Sequence, residues 1–334
     1  MGRGFTMTSE YSKILVTGGA GFIGSHLVDR LLNEGFVVTV IDNYCTGKLE
    51  NISHFQDRTG FNLIEGDIRD FNLVKKAVKG MDAIFHEAAL ASVSISVKDP
   101  ILTNDVNVNG TLNLLKASTE FHIKRFIFAS SAAVYGDPSL VHTSSKKEEM
   151  ATNPTSPYGV SKLAAEMYIQ LFYKIYGLET VSLRYFNVYG PRQCFDISSN
   201  CGGAITIFTN RLLRNMSPII YGDGEQTRDF VFVQDIVEAN MLALKSTDVA
   251  GNVFNIGTGK EESLNKVGNS LKEIIDKKDL KCIHVEPRTT DIRHGYADIS
   301  KAQEILGYSP RIPLSVGLSK TVDWYNKNYP RECL

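Results

Sequence analysis

The sequence contains no run of about 18 consecutive apolar residues, so no transmembrane helix is expected. Residues Met1–Glu10 are polar and glycine-containing and lack the apolar core of a secretory leader; a loose tail is expected there. Neither charge dominates: 36 Lys and Arg stand against 37 Asp and Glu, for a formal net charge of −1. Such a balance gives no footprint for nucleic acid or for a membrane surface. Cysteine is scarce, with five scattered residues, Cys45, Cys194, Cys201, Cys282 and Cys333. Cys194 and Cys201 are too far apart for a C-x-x-C pair and have no second His/Cys pair nearby, so no metal is expected and a reduced, cytoplasmic setting is the default. Internal repeats and low-complexity segments are also missing. What remains, 334 residues with 43% hydrophobic content, suits one large α/β domain with a smaller attached lobe.

The apolar run Ile14-Leu15-Val16 leads directly into Thr17-Gly18-Gly19-Ala20-Gly21-Phe22-Ile23-Gly24. A strand, a glycine turn and a helix in this order make a dinucleotide site. Gly18 permits the tight turn, Gly21 lets backbone approach a pyrophosphate, and Gly24 lets the helix pack on the strand. The helix start adds free N–H groups and a positive dipole end. The next buried run, Val37–Ile41, closes on Asp42, about 20 residues beyond the glycines, where the fingerprint places the acceptor for the adenosine ribose hydroxyls. A carboxylate there repels a 2′-phosphate, so the expected cofactor is NAD rather than NADP.

Strands then alternate with helices: Phe61–Asp67, a helix near Phe71–Lys79, Ala83–Ala89, a helical stretch Ile101–Phe121, Arg125–Ser131, a helix Ser161–Tyr176 and Thr180–Phe186. This rhythm predicts an α/β fold with a Rossmann-type, doubly wound parallel sheet. Ligands of such sheets lie beyond the carboxyl ends of the strands. Asp42, Asp67, Ala88-Ala89, Ser130-Ser131 and Tyr185 all fall at those ends. From Asn187 the pattern changes to a long polar loop, Gly190–Gly203, and mixed short elements. The expected organisation is an NAD-binding domain over 11–186 to which 228–250 returns, with 187–227 and 251–334 forming a smaller mixed α/β substrate-binding lobe.

Tyr158 and Lys162 form Tyr-x-x-x-Lys, and residues four apart share a helix face. An ammonium one turn from a phenol favours the phenolate, lowering a pKa ordinarily near 10. Tyr158 is therefore a candidate acid/base for a hydroxyl becoming a carbonyl. Ser131, at a strand end, would add a hydrogen bond to the same oxygen.

Taken together the chain resembles the extended short-chain dehydrogenase/reductase family from about Lys13 to Tyr325. The resemblance runs through Thr17–Gly24, Asp42-Asn43, Gly66–Ile68, His86–Ala89, Asn107–Thr111, Ser130–Gly136, Tyr158–Lys162, Leu183–Asn187 and Arg228–Phe230. Within the family it looks like the UDP-hexose 4-epimerases, particularly the branch handling N-acetylated sugars. This implies Ser131, Tyr158 and Lys162 as the catalytic set. It implies an NAD site of Gly18, Gly21, Phe22, Ile23, Asp42, Asn43, Thr46, Gly47, Asp67, Ile68, Ala88, Ala89, Asn107, Ser130 and Tyr185, with Tyr158 and Lys162 also facing the cofactor. Ser92, Ser131, Asn187, Tyr221, Arg228, Arg288, Asp291 and Gly295 would hold the UDP-sugar. Two arginines suit a diphosphate, because the guanidinium fork matches phosphate oxygens. Tyr221 stands where the family stacks an aromatic on uracil, although a core tyrosine of the lobe fits there nearly as well.

Related 4,6-dehydratases carry Asp and Glu at the two positions after the catalytic hydroxyl, and decarboxylating members keep an acid there. Here the positions are Ala132 and Ala133, which exchange no proton, leaving oxidation at carbon 4 and its reversal. Epimerases limited to glucose and galactose have a tyrosine at the position of Gly295, so a glycine there leaves room for a 2-acetamido group. Thr290 and Cys194-Phe195 depart from the family pattern. The expected activity is 4-epimerisation of UDP-GlcNAc and UDP-Glc. A UDP-glucuronate 4-epimerase, a sugar-nucleotide dehydrogenase or reductase, and a dinucleotide-binding regulator are the alternatives. The helices near Ile101–Phe121 and Ser161–Tyr176 could pair across a two-fold axis, as in the family's dimers, or could equally cover the sheet.

Overall fold

A computed structural model describes residues 11–136, 145–194, 202–287 and 293–329. The expected tail, Met1–Glu10, lies outside these residues, as do Arg288, Thr290, Asp291 and Phe195. Seven parallel strands form the central sheet: β1 (Lys13–Thr17), β2 (Val37–Asp42), β3 (Phe61–Glu65), β4 (Ala83–His86), β5 (Arg125–Ser131), β6 (Glu179–Tyr185) and β7 (Asn252–Ile256). Their spatial order is β3-β2-β1-β4-β5-β6-β7, with the reversal between β1 and β4. That reversal is the topological switch point of a dinucleotide fold.

Both faces of the sheet are covered, which is why β1 reads as a continuous apolar run rather than an alternating one. Ile14 and Val16 point into one core and Leu15 into the other, all fully buried. The helices are α1 (Phe22–Asn33), α2 (Phe71–Val78), α3 (Val93–Lys98), α4 (Pro100–Asn104), α5 (Gly110–Glu120), α6 (Pro157–Tyr176), α7 (Ala204–Leu213), α8 (Val233–Lys245), α9 (Leu264–Ile274) and α10 (Leu314–Asn328). Helices α1 and α8 lay Leu27, Val28, Leu31, Ile236 and Met241 on the first face. Helices α2, α5 and α6 lay Val74, Leu114, Leu115, Ala165 and Ile169 on the second. A π-helical turn over Asp105–Asn109 joins α4 to α5, so the expected stretch from Ile101 runs unbroken. A third core, with Phe208, Leu212, Leu271, Leu318 and Val322, gathers α7, α9 and α10 into the smaller lobe.

Two expected boundaries move. Strand β7 pairs in parallel with β6, with Phe254 opposite Leu183, so residues 252–256 belong to the sheet rather than to the lobe. Phe254 and Ile256 are buried within the sheet's own core, and that burial overrides the sequence position. Helix α6 begins at Pro157, four residues before the expected start. The Ser156 hydroxyl accepts the Gly159 amide at 3.1 Å, Pro157 occupies the first helical position, and Gly177 closes the helix with a φ of +68°. Cys45 and Cys282 are free thiols, but Cys194 is in a disulfide.

Candidate functional site: the strand ends beside the glycine turn

Gly18 adopts a φ of +68°, and a Cβ there would stand 2.7 Å from the Ala88 amide nitrogen. The turn is thus pressed against the end of β4. A Cβ on Gly24 would lie 2.2 Å from the Gly18 carbonyl oxygen, so the first turn of α1 can seat itself there only with a glycine. Gly21 is the N-cap of α1, and no side chain caps that terminus. The first-turn amides of Phe22 and Ile23 consequently face outward at a positive dipole end, the arrangement that takes a pyrophosphate.

Asp42 ends β2 as a buried carboxylate. It accepts the Ala20 amide at 2.9 Å and the Tyr44 amide at 2.8 Å, while burial raises its pKa. Two amides leave acceptor capacity on both oxygens for ribose hydroxyls. Gly47 passes so close that a Cβ would come within 3.0 Å of both Asp42 oxygens, and Thr46 precedes it in the same loop. Asn43 donates to Asp67 at 2.8 Å, and Arg69 grips the same carboxylate, holding it down at about 2. Ile68, next in the chain, packs against the position of Gly110, where a Cβ would meet its side chain at 2.6 Å.

At the end of β5, the Ser131 hydroxyl accepts the Ala133 amide at 3.1 Å and lies near enough to the Tyr158 phenol to oppose part of the rise in its pKa. Lys162 stands one helical turn beyond Tyr158 on α6, is 3% exposed, and donates to the Ala129 carbonyl at 2.7 Å above the Phe128 ring. The structure therefore brings the three expected catalytic side chains together. The expected lowering of the Tyr158 pKa is not found: burial raises it, outweighing the opposing effect of Ser131. The reason is visible in the Lys162 hydrogen bond, which goes to Ala129 rather than to the phenol. Burial also lowers Lys162, to about 8, against the opposing charge of Glu87.

Several expected residues turn out to brace this site through their polar groups. Asn107 spans Leu90, accepting its amide at 2.8 Å and donating to its carbonyl, and also donates to Ser161 on α6 at 2.9 Å. It fixes the segment that carries Ala88 and Ala89. Ser130 donates to Glu166 at 2.6 Å, and Arg184 closes on both oxygens of that carboxylate at 2.6 and 3.0 Å. Tyr185 donates to Glu87 at 2.8 Å and accepts from Asn240 at 2.7 Å. Glu87, Glu166, Arg184 and Asn240 were not among the expected residues. Glu166 follows Lys162 by four positions, so the face carrying Tyr158 and Lys162 was the one available signal. His86 is fully buried between Thr17 and Thr111 and is held neutral, its pKa lowered to about 3 by burial.

On the lobe side, Asn187 is exposed and follows β6, with its amide donating to the Asp229 carbonyl at 3.3 Å. Arg228 is half-buried and donates to the Thr227 carbonyl at 2.8 Å. Asp229 is the buried staple between them: its carboxylate accepts the amides of Thr258, Gly259 and Ala297. The Thr227 amide donates to the Arg293 carbonyl at 2.9 Å. A Cβ on Gly295 would meet nothing within 4 Å. Tyr221 is 38% exposed, so it is not sealed in the lobe's core. Ser92 caps α3 by accepting the Ile95 amide at 3.3 Å. Arg288 and Asp291 lie outside the described residues.

This geometry accords with comparisons to known proteins. The family model described as GDP-mannose 4,6 dehydratase matches residues 15–321. A putative UDP-glucose 4-epimerase of Methanocaldococcus jannaschii is 42% identical over 94% of this chain and 99% of its own. The solved UDP-N-acetylglucosamine 4-epimerase of Methanobrevibacter ruminantium, in complex with UDP-N-acetylmuramic acid, is 38% identical. It has a TM-score of 0.88 and covers 95% of this chain and 99% of that one. A UDP-glucuronic acid 4-epimerase of Bacillus cereus, in complex with UDP-glucuronic acid and NAD, is 34% identical with a TM-score of 0.87, covering 95% of this chain and 100% of that one. With the strand-end Ser131, the Tyr158–Lys162 helix face and the glycine turn all in place, the chain belongs to the extended short-chain dehydrogenase/reductase family, beside its UDP-sugar 4-epimerases.

Proposed function

We propose that this protein interconverts the carbon-4 epimers of UDP-GlcNAc and of UDP-Glc, using NAD that stays bound. One observation carries the reading: Tyr158, Ser131 and Lys162 meet at the end of β5, followed there by Ala132 and Ala133. The methyls of these two alanines offer no second proton donor for elimination at a neighbouring carbon.

The residues present fit NAD. The glycine cradle would be filled by any Cβ, the start of α1 is uncapped, and Asp42 retains acceptor capacity. The Phe22 and Ile23 amides would hold the pyrophosphate, and Asp42 would hold the ribose. When bound, NAD supplies a hydride acceptor and donor to carbon 4. Tyr158 takes the 4-hydroxyl proton, Ser131 hydrogen-bonds the same oxygen, and Lys162 stands one helical turn along α6 with its ammonium held at the Ala129 carbonyl. The 4-keto sugar then turns about its diphosphate to present the opposite face of carbon 4, and Tyr158 returns the proton to the carbon-4 oxygen. Arg228 is suited to the diphosphate, and Arg288 is assigned with it from the family pattern.

The open space at Gly295 supports acceptance of a 2-acetamido group. It is permissive rather than selective, so the smaller glucose sugar also fits. Purified protein assayed side by side on UDP-GlcNAc, UDP-Glc and UDP-GlcA should turn over the first two. Turnover of UDP-GlcA alone would replace this reading with a glucuronate epimerase.

The functional unit is a homodimer. Helices α3, α4 and α6 pack together and expose Val97 (64%), Ile101 (82%), Met167 (64%) and Ile175 (60%) on one side, while Ala165 and Ile169 of α6 face the sheet. Exposed apolar side chains on neighbouring helices favour an interface, and a second copy of the same face would cover them symmetrically.

A further inference from the structure

Four residues between the glycine turn and α5 are joined by hydrogen bonds whose directions follow from one another. Thr17 ends β1 directly before Gly18, and His86 stands opposite it on β4. Thr111 lies on α5, and Asn107 belongs to the π-helical turn before it. All four are at most 2% exposed. We propose that His86 is a positioning residue for the cofactor: held as its Nε2–H tautomer, it orders a one-way chain of hydrogen bonds that seats the glycine turn against Ala88. This role rests on the NAD site described above and is independent of which sugar is turned over.

The direction is fixed from the α5 end. The Thr111 hydroxyl donates to the Asn107 carbonyl at 2.7 Å, and a carbonyl only accepts. With its proton so committed, Thr111 Oγ1 accepts from His86 Nε2, 2.8 Å away. A neutral imidazole that donates from Nε2 accepts at Nδ1. His86 is neutral, its pKa lowered to about 3 by burial and by the Lys162 charge. Nδ1 therefore takes the proton of Thr17 Oγ1 at 2.7 Å. The lone pairs left on that hydroxyl receive the Ala88 amide at 3.3 Å. The other tautomer would face lone pair to lone pair at Thr111 and proton to proton at Thr17. The ring packs edge-on to Phe126 and against Phe128, with centroids 5.9 and 5.6 Å away.

Ala88 is the residue against which the turn is pressed. A Cβ on Gly18 would stand 2.7 Å from its amide nitrogen and 2.8 Å from its Cα. The Glu87 amide adds a bond to the Thr17 carbonyl at 3.2 Å. The end of β4 thus sets where Gly18 lies, and with it the uncapped start of α1. At its other end the chain reaches the catalytic helix. Asn107 Nδ2 donates to Ser161 Oγ at 2.9 Å, and the Ser161 proton goes to the Tyr158 carbonyl at 2.8 Å.

Neutron crystallography of the perdeuterated protein with its NAD reads the chain directly. Deuterium is expected on His86 Nε2 and not on Nδ1, with the Thr17 deuterium aimed at Nδ1. Deuterium on Nδ1 overturns the proposal. The consequence for the cofactor is read as the rate at which bound NAD exchanges with radiolabelled NAD. Thr111→Val removes the acceptor for Nε2–H, three hydrogen bonds away from the Ala88 amide. It should speed NAD release about fivefold, the worth of one hydrogen bond, and Thr111→Ser, which keeps the hydroxyl, should restore the wild-type rate. Thr17→Val should speed release at least as much. Unchanged release in the folded Thr111→Val and Thr17→Val proteins rejects the role. Should neither variant fold, the wild-type neutron map still decides between the tautomers. No sugar enters either measurement, so their failure is distinct from a failure of the epimerase assay.

Discussion

Tyr158 sits beside Ser131 in a site whose burial raises the phenol's pKa. Replacing its hydroxyl removes the one group placed to move the 4-hydroxyl proton. Tyr158→Phe should reduce kcat by about 10²- to 10⁴-fold while leaving NAD bound, as read from the nucleotide released on denaturation. Loss of bound NAD together with activity would instead place Tyr158 in cofactor binding. Gly295 makes the complementary case, where a missing side chain matters. A Cβ at Gly295 meets nothing within 4 Å, and Gly295→Tyr should selectively depress kcat/KM for UDP-GlcNAc while sparing UDP-Glc. Equal rates on both sugars in the variant would remove the steric argument. At this scale the sequence exposes residues that carry local motifs, such as Gly18, Asp42, Tyr158 and Lys162. It hides Glu87, because the groups that give it meaning, Tyr185 and Asn240, are 98 and more than a hundred residues away and reach it only through strand order.

Helix α6 organises the catalytic end of the sheet by presenting Tyr158, Lys162 and Glu166 at intervals of four residues on one face. Its Ser156-Pro157 start is written in the sequence as an N-cap followed by a residue suited to the first helical position. The Pro-rich segment Pro154–Pro157 nonetheless reads as loop, which is why the helix was expected to begin at Ser161. Glu166 and Arg184 form a buried pair, 2% and 5% exposed, that ties α6 to β6 while Ser130 ties it to β5. Removing one partner strands the other charge in the interior. Glu166→Gln should therefore destabilise the protein by about 3 kcal/mol or more, measured by urea unfolding. A change of only a few tenths would show that the network contributes little. Strand β7 gives the opposite lesson to the α6 start. Nothing in Asn252–Ile256 distinguishes a strand of the lobe from the last strand of the main sheet until its pairing with β6 is known.

The whole molecule sets a Rossmann-type sheet, covered on both faces, against a lobe with its own core, and the strand ends lie between them. The alternation of strands and helices up to Tyr185 made the sheet legible. The lobe was less so, since its short strands are paired across large separations, as with Ile219–Tyr221 against Ile283–Val285. Among the described residues no helix is long and apolar enough to cross a membrane. The exposed apolar side chains of α3, α4 and α6 are the surface proposed to meet a second copy. Light scattering should show a dimer for the wild-type protein and a monomer for Met167→Glu combined with Ile175→Glu; a dimer that survives both changes would place the interface elsewhere.

The most direct test of the account follows deuterium. UDP-glucose carrying deuterium at carbon 4 is incubated with the purified protein and no added NAD, and the product is analysed by NMR and mass spectrometry. The account predicts UDP-galactose that keeps the deuterium at carbon 4, with no net absorbance change near 340 nm, because one resident carrier removes and returns the same hydride. Loss of the label to solvent, or turnover that requires stoichiometric added NAD, would contradict it.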